Sequence, residues 1–439
     1  MKKFFGTDGI RQEAEKFTPN FLQKIAEGLA KYGGEKMKVL IGGDTRESSE
    51  WIINDLEKAF EGLGIEYGTV GVLPTPAINY VFFIMGFDFA IDVTASHNPY
   101  YDNGIKIFER GKKSGQKLSE KGCQIIEAAI LAETSYREVA TALREDLGEE
   151  ARELYVAHLK QYIGKTDLSG LKIGLDCANG ATSVIGERVF RELGANVKAI
   201  NIKKQYGKDI NVNCGSTHLE KLRTLVKNHK LDFGVAFDGD GDRVLMVDET
   251  GTMVDGDQIL AILAKYLGYD KIATTVMANQ GLLNWGKEVG VEIEITAVGD
   301  QNIAKAMREK DIPIGGEQSG HIIMPGEATG DGMLTALMMA KIIAEKKQSL
   351  TSLSRIIVKL PQILFNLKVE SKQKEFFKKS AKIRQLVDEY EVKIRTIDGR
   401  MLVRPSGTEN IIRVTMWGKE EKNMKILMKE FVEKIKELL

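Results

Sequence analysis

Three aspartates at alternate positions, Asp238, Asp240 and Asp242, stand in the run Phe237-Asp238-Gly239-Asp240-Gly241-Asp242-Arg243. An extended or looped backbone would bring the three carboxylates together. Like charges held that close raise one another's proton affinity or need a cation. The intervening glycines allow a tight loop. Carboxylate donors favour a hard ion, Mg²⁺, Mn²⁺ or Ca²⁺, over Zn²⁺. A solvated turn is the plain alternative, because Asp-Gly is common in turns. An EF-hand register would use Asp238, Asp240, Asp242 and Glu249, but its sixth position is Arg243 where the sharp turn needs glycine. The flanks Gly234-Val235-Ala236 and Val244-Leu245-Met246-Val247 read as strands, which rules that register out.

Four other segments could carry chemistry. Thr94-Ala95-Ser96-His97-Asn98-Pro99 follows the apolar run 87–93, a position at the carboxyl end of a strand where α/β sheets place their sites. Ser96 adjoins His97, and Lys106 lies shortly after Asn103-Gly104; a plain turn fits this segment as well. Gly315-Gly316-Glu317-Gln318-Ser319-Gly320-His321 offers Glu317 and Ser319 for hydrogen bonds to sugar hydroxyls, or is a surface turn before a strand at 321–324. Arg404-Pro405-Ser406-Gly407-Thr408 combines a fork-shaped cation, two hydroxyls and an approachable glycine amide, the makings of a phosphate cradle. It lacks the Gly-x-x-x-x-Gly-Lys pattern of an NTPase loop. Phe5-Gly6-Thr7-Asp8-Gly9-Ile10-Arg11 places one more cation beside a glycine turn, or is a simple hairpin.

The elements that must hold these loops recur. A strand at 38–41, a helix at 50–63 and a strand at 67–72 form one strand-helix-strand unit. The spans 172–176, 183–193 and 197–202 form a second, and a strand at 271–276, a helix ending at Val289 and a strand at 292–298 a third. Gly64, Gly194 and Gly290 follow the three helices, where a left-handed residue closes a helix. The pattern predicts mostly parallel sheets with flanking helices. The last stretch differs, with strands at 368–370, 392–396, 401–404 and 411–416 and helices at 376–389 and 424–438. The expected architecture is three similar mixed α/β domains, 1–150, 151–252 and 253–362, and a smaller α+β domain, 363–439, around a central cleft. Methionine-rich 333–344 reads as a buried helix, and His158, His218 and His229 as surface or hydrogen-bonded residues.

The 439 residues carry 62 Lys plus Arg and 62 Asp plus Glu, a balance that argues against a nucleic-acid partner. The balance is uneven along the chain: residues 361–439 hold 18 basic and 12 acidic side chains, which suits a small anionic ligand at that end. Three scattered cysteines give neither a disulfide framework nor a metal knuckle, so a reducing cytoplasm is expected. No apolar run is long enough to span a bilayer. Met1-Lys2-Lys3-Phe4-Phe5 starts like a signal peptide, but Gly6-Thr7-Asp8-Gly9 takes the place of its apolar core.

Taken together and in order, the five segments resemble the α-D-phosphohexomutase family, and the resemblance covers the whole chain and its four-domain plan. It implies that Ser96 carries a phosphoryl group, with Arg11, His97, Lys106 and His321 acting around it. It implies one Mg²⁺ per chain on Asp238, Asp240, Asp242 and the phosphorylated Ser96. Glu317 and Ser319 would hold the sugar; Arg243, Arg404, Ser406, Gly407 and Thr408 would complete the substrate site, the last four on the phosphate that is not transferred. Within the family, Phe5-Gly6-Thr7-Asp8-Gly9-Ile10-Arg11, Asn213-Cys214-Gly215-Ser216-Thr217-His218 and Gln318 are similar to the branch that interconverts glucosamine 6-phosphate and glucosamine 1-phosphate, towards UDP-N-acetylglucosamine. Gln12, Gly43 and Asn410 depart from the family's usual glycine, arginine and proline, and Gln301 stands where that branch commonly has arginine. The implied ligands are a hexose phosphate and glucosamine or glucose 1,6-bisphosphate as activator, on a monomer or homodimer with no membrane partner. Alternatives are a sibling mutase for mannose or glucose phosphates, a metal-dependent phosphatase, or a non-catalytic sugar-phosphate-binding protein.

Overall fold

The computed structural model describes residues 4–34, 36–112, 114–132, 143–397, 399–406 and 410–439. Gly407 and Thr408 therefore lie outside the described residues. The chain divides into two compact units, Met1–Thr275 with Glu294–Arg355, and Val276–Ile293 with Ile356–Leu439.

Three mixed sheets organise the first unit. In the first, Phe89–Val93, Lys38–Gly43 and Glu66–Val72 run parallel, with Lys38–Gly43 central. Helices Glu47–Gly62 and Thr75–Ile84 supply the crossovers that parallel neighbours require. Asp102–Arg110 then adds antiparallel to Phe89–Val93, and Gly9–Glu13 antiparallel to it. In the second, Lys172–Asp176 lies between parallel partners Asn196–Ile200 and Phe233–Phe237, and Val244–Asp248 returns antiparallel. In the third, Lys271–Thr275 runs parallel to Ile314–Gly316, which turns back onto Ile322–Ile323. In each sheet an antiparallel return carries a sharp loop at the strand end, and these are the loops that bear the candidate residues. The central strands are buried along almost their whole length, as expected where helices cover both faces.

Gly64, Gly194 and Gly290 all have positive φ, as their positions after helices require. Asp255 opens the helix Gly256–Leu267 through a reciprocal capping box with Gln258. The methionine-rich stretch is the buried helix Gly332–Lys346. No helix among the described residues is long and apolar enough to cross a membrane.

The second unit is an antiparallel sheet with Ile411–Trp417 between Gln362–Lys368 and Arg400–Pro405, packed with helices Ala381–Arg395 and Glu421–Leu438. Two expectations fail here. Residues 392–396 are not a strand: Ile383, Leu386, Tyr390 and Ile394 repeat at helical spacing and are buried, whereas Val392 is 62 % exposed. The first strand ends at Lys368, because Glu370 is the cap of a helix, Ser371–Lys379, that stops at Ser380 before the next begins. Asn279 ties residues 276–293 into this unit, its side chain bonding both the carbonyl and the amide of Leu360.

Candidate active site

Ser96 sits just beyond the strand Phe89–Val93, fully buried, with φ of +53°. A left-handed backbone costs a residue with a Cβ roughly 1–2 kcal/mol, so something must hold the loop. Arg46, itself fully buried, does so. Its Nη2 donates to the carbonyls of Ser96 at 2.9 Å and Asn98 at 2.8 Å, its Nη1 to Asp102 at 3.1 Å and to Pro99. Its Nε donates to Asp44 Oδ2 at 2.9 Å. Asp44 also accepts from Thr94 Oγ1 and Ser49 Oγ, and Thr94 Oγ1 accepts the Ser96 amide. Asn211 Nδ2 gives the Ser96 carbonyl a second donor at 2.8 Å.

The aspartate loop packs directly on this one. A Cβ on Gly239 would lie 2.4 Å from the Ser96 carbonyl oxygen, so only glycine lets the two backbones meet. Ser96 Oγ donates to Asp238 Oδ2 at 2.7 Å. Asp238, Asp240 and Asp242 are all buried, with one carboxylate oxygen of each within 4.8 Å of the other two. Lys106 Nζ donates to Asp240 Oδ2 at 2.6 Å and Asp242 Oδ2 at 3.1 Å, and Thr75 Oγ1 also reaches Asp240. Asp240 Oδ1 and Asp242 Oδ1 are buried without a hydrogen-bond partner.

Burial and the neighbouring Asp240 and Asp242 raise the Asp238 proton affinity well above the ordinary carboxylate range. Burial acts on Asp242 in the same sense, but Lys106 and His321 outweigh it and hold Asp242 well below. Lys106, desolvated yet ringed by Asp240, Asp242 and Asp8, is held protonated. Two buried oxygens of the cluster, on Asp240 and Asp242, thus lack a donor beside a carboxyl, Asp238, whose ionisation its neighbours disfavour in the absence of a cation. These residues fit a divalent cation of the Mg²⁺ type.

His97 lies beside the serine, Nδ1 3.3 Å from Ser96 Oγ, and accepts from Arg243 Nη1 at 3.1 Å. Burial and the guanidinium groups of Arg243 and Arg11 push its pKa down to about 4, so the ring is neutral near pH 7. His321 Nε2 accepts the Gly330 amide at 2.9 Å, which leaves the proton on Nδ1, 3.7 Å from Asp242. Arg11 pairs with Asp8 at 2.6 Å, and Asp8 lies 3.3 Å from Lys106 Nζ.

The glycine-rich loop docks beside the aspartates. The Val244 amide donates to the Gly320 carbonyl, and a Cβ on Gly320 would meet Val244 O at 2.0 Å. Glu317 is half-buried, its Oε1 accepting the Gly299 amide at 3.3 Å, and Ser319 is exposed. The first unit thus brings together Ser96, His97, Lys106, the three aspartates, Arg243 and His321, with Arg11 and Glu317 next to them. Arg404 and Ser406 belong to the second unit, at the end of the strand Arg400–Pro405; Ser406 is buried there.

Sequence reasoning passed over Arg46, Asp44 and Asn211, which hold the serine loop. It also passed over Asp92, a buried carboxyl that accepts from Thr75 Oγ1 and whose proton affinity burial raises well above the usual range. The one available signal was Asp44-Thr45-Arg46 directly after a buried strand, where loop residues of an α/β sheet gather at the site.

Family profiles match all four segments of the chain. Those described as phosphoglucomutase/phosphomannomutase alpha/beta/alpha domains I, II and III cover residues 2–137, 153–251 and 255–360, and the C-terminal domain covers 364–434. The chain is 41 % identical to the phosphoglucosamine mutase of Caldicellulosiruptor saccharolyticus, over 97 % of each chain. Its fold is similar to that of a phosphoglucomutase/phosphomannomutase family protein from Burkholderia thailandensis, with a TM-score of 0.78 at 21 % identity over 98 % of this chain and 97 % of that one. It is also similar to an Aspergillus fumigatus N-acetylphosphoglucosamine mutase solved with GlcNAc-6P and magnesium, with a TM-score of 0.65 at 17 % identity over 98 % and 95 % of the two chains. By its four matched domains and its full-length relatives, the chain belongs to the phosphoglucomutase/phosphomannomutase family, the α-D-phosphohexomutases.

Proposed function

We propose that this chain interconverts glucosamine 6-phosphate and glucosamine 1-phosphate through a phosphorylated Ser96. The observation that carries the reading is the Ser96 hydroxyl, buried and 2.7 Å from Asp238 inside the three-carboxylate cluster. The choice of glucosamine over glucose or mannose is supported by relatives named phosphoglucosamine mutase at 41 % identity over nearly the full chain. Asp238, Asp240 and Asp242 would hold Mg²⁺, which when bound draws charge from the phosphoryl oxygens.

The chain's own residues supply the rest. In the forward direction the bond between phosphorus and Ser96 Oγ breaks as one forms to the sugar's free hydroxyl, which gives up its proton. The other phosphate of the resulting bisphosphate then returns to Ser96. Such transfers need alignment and charge neutralisation above all. Arg46 fixes the serine backbone, and Lys106, Arg11 and Arg243 surround the transferring group with positive charge. Lys106, held protonated by its carboxylates, acts as that charge and not as the base. Neutral His97, next to Ser96 Oγ, and His321, with its proton on Nδ1, are the residues we assign to moving the hydroxyl proton. Glu317 and Ser319 would take sugar hydroxyls. Arg404 and Ser406, with Gly407 and Thr408, would take the phosphate that stays. Arg404 stands directly across the sheet from Arg413. Glucosamine or glucose 1,6-bisphosphate would prime Ser96. Three buried free thiols suit a reducing cytoplasm.

The test is a panel of glucosamine, glucose and mannose phosphates on bisphosphate-primed enzyme, with intact-mass analysis. Glucosamine phosphates should show the highest kcat/KM, and Ser96→Ala should lose both turnover and the phosphorylated mass. Activity near that of the parent in Ser96→Ala would remove the serine from the mechanism. Stoichiometric release of inorganic phosphate would identify a phosphatase instead.

A further inference from the structure

The sugar-facing and phosphoryl-facing residues lie on different sheets of the first unit, and one line of alternating charges joins them. Lys106, on the strand Asp102–Arg110, lies 3.3 Å from Asp8 Oδ2. The other oxygen of Asp8 lies 2.5 Å from Lys117 Nζ. Lys117 ends the short strand Gly115–Lys117, paired to the strand that bears Lys106. The same ammonium donates to Asp300 Oδ2. Asp300 is the first residue of the helix Asp300–Lys310, and the amide of Gly299 just before it donates to Glu317 Oε1 at 3.3 Å. The line therefore begins at the lysine bonded to Asp240 and Asp242 and ends at the carboxylate of the sugar loop.

We propose that Lys117 and Asp300 are positioning residues: their ion pair sets where Glu317 stands relative to Lys106 and the aspartate loop, and so where the sugar is held relative to Ser96. This rests on the hexose-phosphate mutase reading. Both side chains are largely shielded, Lys117 at 18 % and Asp300 at 15 % exposure, where water screens a pair less than at an open surface. The pair joins segments 183 residues apart that share no strand pairing, so it acts on their relative placement and not on either sheet alone. Its neighbours make it testable. Without Lys117, Asp8 keeps Lys106 and Arg11; without the Asp300 charge, Lys117 keeps Asp8. Removing the Asp300 charge strands no buried charge, so that variant should fold. Without Lys117, Asp300 keeps the Gln301 amide and lies 3.7 Å from His321 Nε2 but has no lysine or arginine among the described residues, so Lys117→Met is the more destabilising of the two.

The experiment is a double-mutant cycle of Lys117→Met and Asp300→Asn. It measures kcat and KM for glucosamine 6-phosphate on bisphosphate-primed enzyme, and thermal unfolding of each variant. Each single change should raise KM and lower kcat/KM about tenfold or more, and the double variant should fall no further than the worse single, the mark of two residues acting as one. Asp300→Glu, which keeps the charge, should recover part of the loss; a role in stability alone would leave KM unmoved. Strictly additive losses, or kcat/KM within about twofold of the parent in Asp300→Asn with its fold intact, overturn the proposal. If either variant fails to fold, Asp300→Glu and Lys117→Arg decide against the parent: a raised KM in these folded variants, which keep the charges but move them, supports the pair, and a KM unchanged in both overturns it. A parent chain that turns over no hexose phosphate sinks the mutase reading itself, a result distinct from an active parent with unaffected variants.

Discussion

Replacing Arg46 should damage the nucleophile without touching it. The guanidinium makes five hydrogen bonds, four to carbonyls of residues 96–102 and one to Asp44, from a side chain with no exposed surface. Arg46→Met would leave the buried Asp44 carboxylate without its cation, a change that costs about 3–5 kcal/mol. That is a large share of a typical folding free energy, so the informative variant is Arg46→Lys. Lysine keeps the charge but offers three donors where arginine offers five. Two charge-assisted bonds are lost. Asn211 still serves the Ser96 and Asn98 carbonyls, and Ser49 and Thr94 still serve Asp44. The net cost should be about 2–4 kcal/mol. At about 2.1 cal/mol/K per residue a unit this large shifts by only about 1.4 °C per kcal/mol, so the unfolding midpoint should drop by about 3–6 °C. With its fork gone, the loop no longer holds Ser96 left-handed, and a displacement of even about 1 Å costs on the order of a hundredfold in rate. Differential scanning calorimetry and kcat on primed enzyme read the two effects. An Arg46→Lys enzyme with an unchanged midpoint and kcat within about twofold of the parent would refute the clamp.

Two more outcomes follow from the buried charges. Chelation should abolish turnover and Mg²⁺ should restore it; Asp240→Asn should require much more Mg²⁺ for half-maximal activity, as read by titrating activity against the metal. Asp331, buried beside Glu327 and bonded to Tyr155 and the Leu334 amide, has its pKa pushed up to about 7 by burial and then by Glu327. The folded chain therefore binds a proton that the unfolded chain has released across roughly pH 4–7, so this group's contribution to stability falls as pH rises through that window. The span corresponds to on the order of 4 kcal/mol. Asparagine keeps the helix cap and removes the titration. Urea unfolding of Asp331→Asn should thus show its largest gain over the parent at pH 8 and little at pH 4; the opposite order would contradict the assignment.

The site loops were legible because their composition is unusual wherever it occurs. Alternating aspartate and glycine has few uses, and a serine after a buried strand already points to the end of a sheet. The strand-helix-strand units were legible for the same local reason, since the glycine after each helix marks a boundary. What escaped notice is long-range. Arg46 as a sequence letter is a surface residue; only the folded chain shows it facing four carbonyls some fifty residues away. Lys117 and Asp300 meet across 183 residues, and neither carries a local pattern. The misread strand at 392–396 has the opposite cause. Val392, Ile394 and Thr396 alternate locally, yet Ile394 continues a helical stripe begun at Ile383 while Val392 points to solvent.

The cysteines have a practical consequence. Alkylating reagents attack thiolates, and burial pushes the Cys177 and Cys214 thiols up to about 12. Cys123 is buried as well, and all three lie in the first unit. The folded protein should therefore be nearly silent to maleimide or iodoacetamide, and each modification should record an opening of the first unit alone. A cysteine introduced at exposed Ser319 would give a single labelling site on the sugar loop, against a background set by the slow breathing of the core beneath it.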